Sequence, residues 1–97
     1  MLKKQWKEDM MYIISGPEIT YYPGTNKFKS IKFKRNNKLH NVEFPAYIEY
    51  YENGKIRNEI YCLDGKKHKS DGPAVILYYP DGNIQYEEYW LNNKHIK

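Results

Sequence analysis

Pro45-Ala46-Tyr47-Ile48-Glu49-Tyr50-Tyr51-Glu52-Asn53-Gly54-Lys55-Ile56 returns 28 residues later as Pro73-Ala74-Val75-Ile76-Leu77-Tyr78-Tyr79-Pro80-Asp81-Gly82-Asn83-Ile84. The correspondence runs on through Glu59/Glu87, Tyr61/Tyr89, Leu63/Leu91 and Lys66/Lys94. Twelve of the 25 positions between Pro45/Pro73 and Lys69/Lys97 are identical. Self-similarity at a fixed period is the mark of a repeat architecture. A weaker third copy lies upstream, where Gly16-Pro17 matches Gly72-Pro73 and Lys38-Leu39-His40 matches Lys66-Lys67-His68. In that copy Tyr21-Tyr22 arrives one residue early and the turn Pro23-Gly24-Thr25-Asn26 is one residue longer.

Each copy reads as an antiparallel β-hairpin. Asn53-Gly54 and Asp81-Gly82 are the dipeptides of two-residue type I′ turns, in which both central residues take positive φ. Their flanks are rich in Tyr, Ile and Val, which suit strands. Asn36-Asn37, Asp64-Gly65 and Asn92-Asn93 mark a second turn in each copy. The expected fold is therefore all-β: three tandem hairpin repeats of about 28 residues (16–43, 44–71 and 72–97) forming a twisted sheet. Residues 1–15 form an N-terminal extension of the same single domain, with 5–14 read as one helical turn or a truncated strand.

Two-residue turns set Tyr51 opposite Ile56, Tyr50 opposite Arg57, Ile48 opposite Glu59 and Tyr47 opposite Ile60. They also set Tyr79 opposite Ile84, Leu77 opposite Tyr86 and Ile76 opposite Glu87. Side chains alternate across a strand. One face then carries Tyr47, Tyr51, Ile56, Ile60, Val75, Leu77, Tyr79, Ile84 and Tyr86, and is the expected core. The other carries Ala46, Ile48, Tyr50, Arg57, Glu59, Tyr61 and Leu63, with their equivalents up to Tyr89 and Leu91, and is the expected wet face.

Tyr-Tyr-x-Asn/Asp-Gly-x-Ile, followed by Tyr-x-Leu-x-x-Lys and by Asp71-Gly72-Pro73-Ala74, resembles a divergent MORN-type repeat over residues 16–97. The look-alikes are arrays rich in Tyr and Asn-Gly from phage, giant-virus and bacterial proteins. The 28-residue period is longer than the usual unit, and the first copy lacks the Asp and Ala around its Gly-Pro. The resemblance implies a short, non-catalytic array that binds proteins, with antitoxins among its bacterial relatives.

The composition fits that implication. The chain has 97 residues, 29% of them charged, with 11 Tyr, 3 Phe, 2 Trp and a single Cys. One cysteine excludes an intrachain disulfide and so a secreted disulfide scaffold. No apolar run approaches the roughly 20 residues of a membrane span. Met1 to Asp9 lacks the apolar stretch of a signal peptide. A cytoplasmic protein is expected, in the host cell if the source is viral.

Catalytic and metal chemistry find little support. His40 and His68 are 28 apart, but equivalent positions of successive hairpins stand too far apart to share an ion. Cys62 corresponds to Trp90, which marks a packing position without the neighbouring base that a reactive thiol needs. His68, Ser70 and Asp71 share one short turn that rarely supplies triad geometry. Glu59 and Glu87 read as cross-strand partners of Lys or Arg. No enzyme activity, cofactor or metal is expected.

A protein partner is the first expectation, held by a strip of Tyr50, Arg57, Tyr61, Tyr78, Glu87 and Tyr89. Tyrosine brings large contact area with a polar tip. Inhibition of a host factor, or an antitoxin role, would suit the size. The alternative lies in charge. Residues 1–41 hold nine Lys or Arg against three Asp or Glu, and residues 42–97 hold seven against nine. Lys29, Lys32, Lys34 and Arg35, interleaved with Phe28 and Phe33 in the stretch 27–38, would suit a nucleic-acid or nucleotide-binding protein through phosphate contacts and base stacking. An open strand near 84–91 would also admit a second copy of the chain. A membrane partner is not expected, since no amphipathic helix or lipidation signal accompanies the basic stretch.

Overall fold

The computed structural model describes residues 16–97. The extension 1–15, with the helical turn or truncated strand read within 5–14, lies outside them. The described residues are all-β, with no helix. Long and short hairpins alternate. The long ones are β1 (Glu18–Tyr21) with β2 (Phe28–Lys32), β5 (Tyr47–Tyr50) with β6 (Ile56–Ile60), and β9 (Val75–Tyr78) with β10 (Ile84–Glu88). The short ones are β3 (Lys34–Arg35) with β4 (Lys38–Leu39), β7 (Cys62–Leu63) with β8 (Lys66–Lys67), and β11 (Trp90–Leu91) with β12 (Lys94–His95). The long hairpins join edge to edge into one six-stranded antiparallel sheet in the order β1-β2-β5-β6-β9-β10.

The turn types differ from expectation. At the tip of β5–β6, Tyr51 N–H donates to Lys55 C=O (2.8 Å) and Gly54 N–H to Tyr51 C=O (3.0 Å). This closes a three-residue loop, Glu52-Asn53-Gly54, in which Gly54 alone takes positive φ (90°). Asn53 Oδ1 accepts from Lys55 N–H at 2.9 Å, and Asp81 Oδ1 accepts from Asn83 N–H at 2.9 Å. The Asn and Asp serve here as side-chain acceptors, not as left-handed residues. The type I′ pattern belongs instead to the short hairpins. Both central residues have positive φ at Asn36-Asn37 (51° and 63°), Asp64-Gly65 (48° and 81°) and Asn92-Asn93 (48° and 66°). Asn, Asp and Gly are the residues that tolerate this conformation.

The register follows expectation away from the tips: Tyr47↔Ile60, Ile48↔Glu59, Leu77↔Tyr86 and Ile76↔Glu87. Near each tip a β-bulge intervenes, and Tyr21 pairs with Phe28, Tyr50 with Ile56 and Tyr78 with Ile84. A bulge moves each residue beyond it to the other face. Ile56 and Ile84 therefore leave the expected core face and join Tyr50 and Tyr78.

The polarity of the faces departs from expectation, although the two buried side chains of the six-stranded sheet, Ser30 and Val75 (both 8% exposed), lie on the face assigned to the core. The face assigned to the core carries Thr20, Ser30, Lys32, Glu49 and Asn58 alongside Tyr47, Ile60, Val75 and Leu77. The face expected to be wet is the more apolar one. Among the described residues, no element lies over either face, and no large side chain is fully buried. Burial concentrates at the seam between long and short hairpins, where Ala46 and Ala74 are both 0% exposed. Ala46 N–H donates to Ile60 C=O (2.9 Å) and its carbonyl accepts from Phe33 N–H (2.8 Å). Ala74 is held in the same way by Glu88 C=O and Tyr61 N–H, both at 2.8 Å. Cys62 is also buried at this seam, and burial pushes its thiol pKa up, away from the thiolate form.

Contacts between successive hairpins recur. Tyr22 and Tyr51 hydroxyls donate to Tyr50 C=O (2.6 Å) and Tyr78 C=O (2.7 Å). His40 and His68 Nδ1 accept from Asp64 and Asn92 N–H, each at 3.0 Å. Gly65 N–H reaches Leu39 C=O (2.7 Å), and Asn93 N–H reaches Lys67 C=O (2.8 Å).

Candidate functional site

Two parallel rows of side chains cross all six strands on the apolar face. The row in mid-strand is Ile19, Ile31, Ile48, Glu59, Ile76 and Glu87. The row nearer the tips is Tyr21, Phe28, Tyr50, Ile56, Tyr78 and Ile84. Cross-strand aromatic and β-branched pairs of this kind stabilise a sheet by roughly 0.2–1 kcal/mol each. Tyr21 and Phe28 rings lie 5.7 Å apart, and Phe28 and Tyr50 rings 5.8 Å. Tyr21, Phe28 and Ile84 remain exposed. At about 4.8 Å between strands, the rows run about 24 Å.

Glu59 sits within this field and accepts a hydrogen bond from the Tyr78 hydroxyl at 2.6 Å. Partial burial, then the Glu59 carboxylate, hold the Tyr78 phenol well above the ordinary tyrosine pKa. The hydroxyl is thus a fixed donor that satisfies Glu59 inside an apolar surface.

The expected strip is partly assembled. Tyr50, Tyr78 and Glu87 share the apolar face. Tyr61 and Tyr89 lie at the seam, each lining a cleft. One cleft, of about 360 Å³, is bounded by Asn41, Glu43, Tyr61, His68, Lys69 and Asp71. The other, of about 340 Å³, is bounded by Lys69, Asp71, Tyr89, Trp90, Ile96 and Lys97. Lys69 Nζ stands 4.3 Å above the Tyr61 ring, and Lys97 Nζ stands 5.0 Å above Tyr89. Arg57 parts from the strip. The bulge turns it to the opposite face, with Nε 4.0 Å from Glu49 and its guanidinium 5.7 Å above the Tyr51 ring.

The basic stretch is dispersed by the same geometry. Lys29 and Lys32 lie on the polar face over the Tyr22 and Tyr47 rings, both at 5.9 Å. Lys34 pairs with Glu18 at 3.2 Å. Arg35 binds both carboxylate oxygens of Asp64, at 3.0 and 3.1 Å. Two of the four basic groups are therefore engaged in tying hairpins together. Among the described residues no group of three or more His, Cys, Asp or Glu could hold a metal ion. Nor is any helix among them long and apolar enough to cross a membrane.

One exposed feature escapes the repeat reading. Val42 and Phe44, in the loop between β4 and β5, are 72% and 65% exposed. The positions 28 residues on are Ser70 and Gly72. That departure from small and polar residues was the available signal.

The carboxylates predict an acid response. Hydrogen bonds from Arg35 hold the Asp64 carboxyl below its usual range, Lys69 does the same for Asp71, and the Tyr86 hydroxyl followed by Trp90 Nε1 does so for Glu88. A carboxylate whose folded pKa is lowered stabilises the fold above its unfolded pKa and loses that contribution as pH falls through the folded value. Denaturant melts should show an acid limb in which the share of stability these carboxylates contribute is lost below about pH 4.5. Asp64→Asn combined with Glu88→Gln should flatten that fall, and an unchanged acid limb would assign it to other groups.

No family model matches the chain, and neither a curated protein nor a solved structure matches it.

Proposed function

We propose that the chain is a non-catalytic interaction module, a three-unit array of MORN-type hairpins that binds a protein partner across its apolar face and occludes it. The carrying observation is the double row of Ile, Tyr and Phe side chains, interrupted only by Glu59 and Glu87, that no other described element covers, with Tyr21, Phe28 and Ile84 exposed. A contiguous exposed apolar patch on a folded chain is a common mark of an interaction surface. Tyr, Phe and Ile held rigidly by a sheet lose little entropy on docking. The recurrent hydroxyl and imidazole contacts between hairpins support the repeat reading. Inhibition of a host factor, or neutralisation of a toxin, is the role such an occluding module would serve.

The test is affinity capture from lysate of the expressing cell, with and without nuclease, comparing the wild type with a Tyr21→Thr/Ile84→Thr double variant. Both substitutions lie at exposed ends of the tip row and keep strand propensity. The wild type should retain a nuclease-resistant protein, and the variant should bind it at least about tenfold more weakly. Its melting temperature should stay within a few degrees of the parent. Recovery of nucleic acid, with all protein lost on nuclease treatment, would transfer the site to Lys29 and Lys32 on the opposite face.

A further inference from the structure

Among the described residues, β1 pairs only with β2 and β10 only with β9. We propose that these two edges are complementary, and that a second copy of the chain adds its β1 to β10, head to tail. This goes beyond the occluding face and would extend it.

The sheet already contains the template twice. β2 receives β5 with Ser30↔Glu49, Ile31↔Ile48 and Lys32↔Tyr47. β6 receives β9 with Asn58↔Leu77, Glu59↔Ile76 and Ile60↔Val75. The same register on β10 sets Glu87 opposite Ile19 of the second copy, as Glu59 stands opposite Ile76. Tyr86 then meets Thr20, and Glu88 meets Glu18. The polar groups point the right way. Ala74 N–H bonds Glu88 C=O, so Glu88 turns its backbone groups toward β9 and alternation turns those of Glu87 outward. Phe33 N–H bonds Ala46 C=O, so Phe33 and, by alternation, Ile31 turn toward β5. Ile19, opposite Ile31, therefore points its own backbone groups away from β2.

Side chains repeat the match. Tyr22 and Tyr51 each donate a hydroxyl to a carbonyl in the following hairpin, Tyr50 and Tyr78. Tyr79, 48% exposed, begins the third tip loop as Tyr51 begins the second. The Tyr21 carbonyl of the second copy stands where Tyr50 and Tyr78 stand. Ile84 would meet that Tyr21 as Phe28 meets Tyr50, 5.8 Å away.

Charge favours this pairing over the symmetric ones. Residues 18–32 carry three Lys and one Glu, whereas residues 75–88 carry Asp81, Glu87 and Glu88 and no base. Opposite fields steer the two ends together. A two-fold β10–β10 contact centred on Glu87 would instead set that carboxylate against its own copy, with Glu88 beside it. The single adverse meeting, Glu88 with Glu18, is softened from both sides. Lys34 lies 3.2 Å from Glu18, and Glu88 accepts from the Tyr86 hydroxyl (2.6 Å) and Trp90 Nε1 (2.8 Å). At the seam Tyr89 N–H is already bonded to Lys97 C=O at 2.6 Å, so the added strand spans the tip to Glu88. A contact between two different edges of one chain grows as an open line, not a closed dimer.

The test is sedimentation velocity on the full chain from about 10 µM to about 1 mM, a range suited to weak association. The weight-average sedimentation coefficient should climb with concentration without levelling at a dimer. Glu87→Pro and Ile19→Pro each remove one outward donor from an edge strand, where proline is tolerated. Each variant alone should remain monomeric, and an equimolar mixture should form a one-to-one dimer that grows no further. Tyr79→Phe removes only a hydroxyl, and so serves even if a proline variant fails to fold. It should weaken association about 2- to 10-fold. A wild-type chain that stays monomeric throughout would overturn the proposal. So would an Ile19→Pro variant that dimerises alone, or a Tyr79→Phe chain that associates as well as the wild type.

Discussion

Ala74→Leu should lower stability by about 1–3 kcal/mol, the cost of overpacking a closed site. For a domain of this size that corresponds to a loss of about 10 °C in melting temperature. Ala74 is wholly buried, and both its backbone groups are bonded at 2.8 Å, to Glu88 on one side and Tyr61 on the other. Three extra carbons there must push β10 away from β9 or lift Tyr61 out of the seam. Either movement breaks a backbone hydrogen bond as well as adding strain. Ala46→Leu should behave alike, because Ala46 is as buried and is gripped in the same way by Ile60 and Phe33. A surface substitution such as Lys66→Leu should stay within about 0.5 kcal/mol and serves as the control. Thermal melts of the three variants decide the matter. An Ala74→Leu melting temperature within about 2 °C of the parent would show that the seam has room and is not the centre of the fold.

His40→Ala should cost about 2–3 kcal/mol, more than His68→Ala. His40 is only 4% exposed, and its Nδ1 accepts the Asp64 N–H at 3.0 Å. That places the proton of the neutral ring on Nε2. Truncation to Ala leaves the Asp64 amide without its acceptor and opens a void beneath a left-handed turn residue (φ 48°). His68 makes the same bond to Asn92 but is less buried, so water can replace it. His40→Asn retains an acceptor and should recover part of the loss. Urea melts of the three variants give the order directly, and equal losses at the two histidines would show that burial does not set the cost.

These two sites show what could be read from the residues and what could not. The places of the turns, the all-β class and most of the register follow from Asn-Gly, Asp-Gly and the Tyr- and Ile-rich flanks. The turn types do not. Asn53-Gly54 fits either a two-residue loop with both residues left-handed or a three-residue loop in which only Gly54 is. The choice rests on whether the Asn side chain or the Asn backbone does the work. Here the side chain does, and the resulting bulge carries Ile56, Ile84 and Arg57 each to the face opposite the one expected. The slip moves only the residues at the tips, and the polar Glu49 and Asn58 lie on the face assigned to the core in either register. The recurrence of His40 and His68 was visible, but a polar turn residue was the plain reading. Nothing local indicates that an imidazole reaches 24 residues forward to an amide. Ala46 and Ala74 were visible as identities between copies. Their meaning needed the crossing of Phe33 and Tyr61 beside them.

The order β1-β2-β5-β6-β9-β10 has a kinetic consequence. Each long hairpin joins only the next long hairpin along the chain, so no strand waits for a distant partner before it can pair. Low contact order of this kind favours rapid folding by successive addition. It also distributes cohesion unevenly. Among the described strands, β2, β5, β6 and β9 are gripped from both sides, whereas β1 and β10 are gripped from one and should open first. A ligand lying across the whole sheet would hold those slack ends closed, and its binding would register as motion lost more than as shape changed.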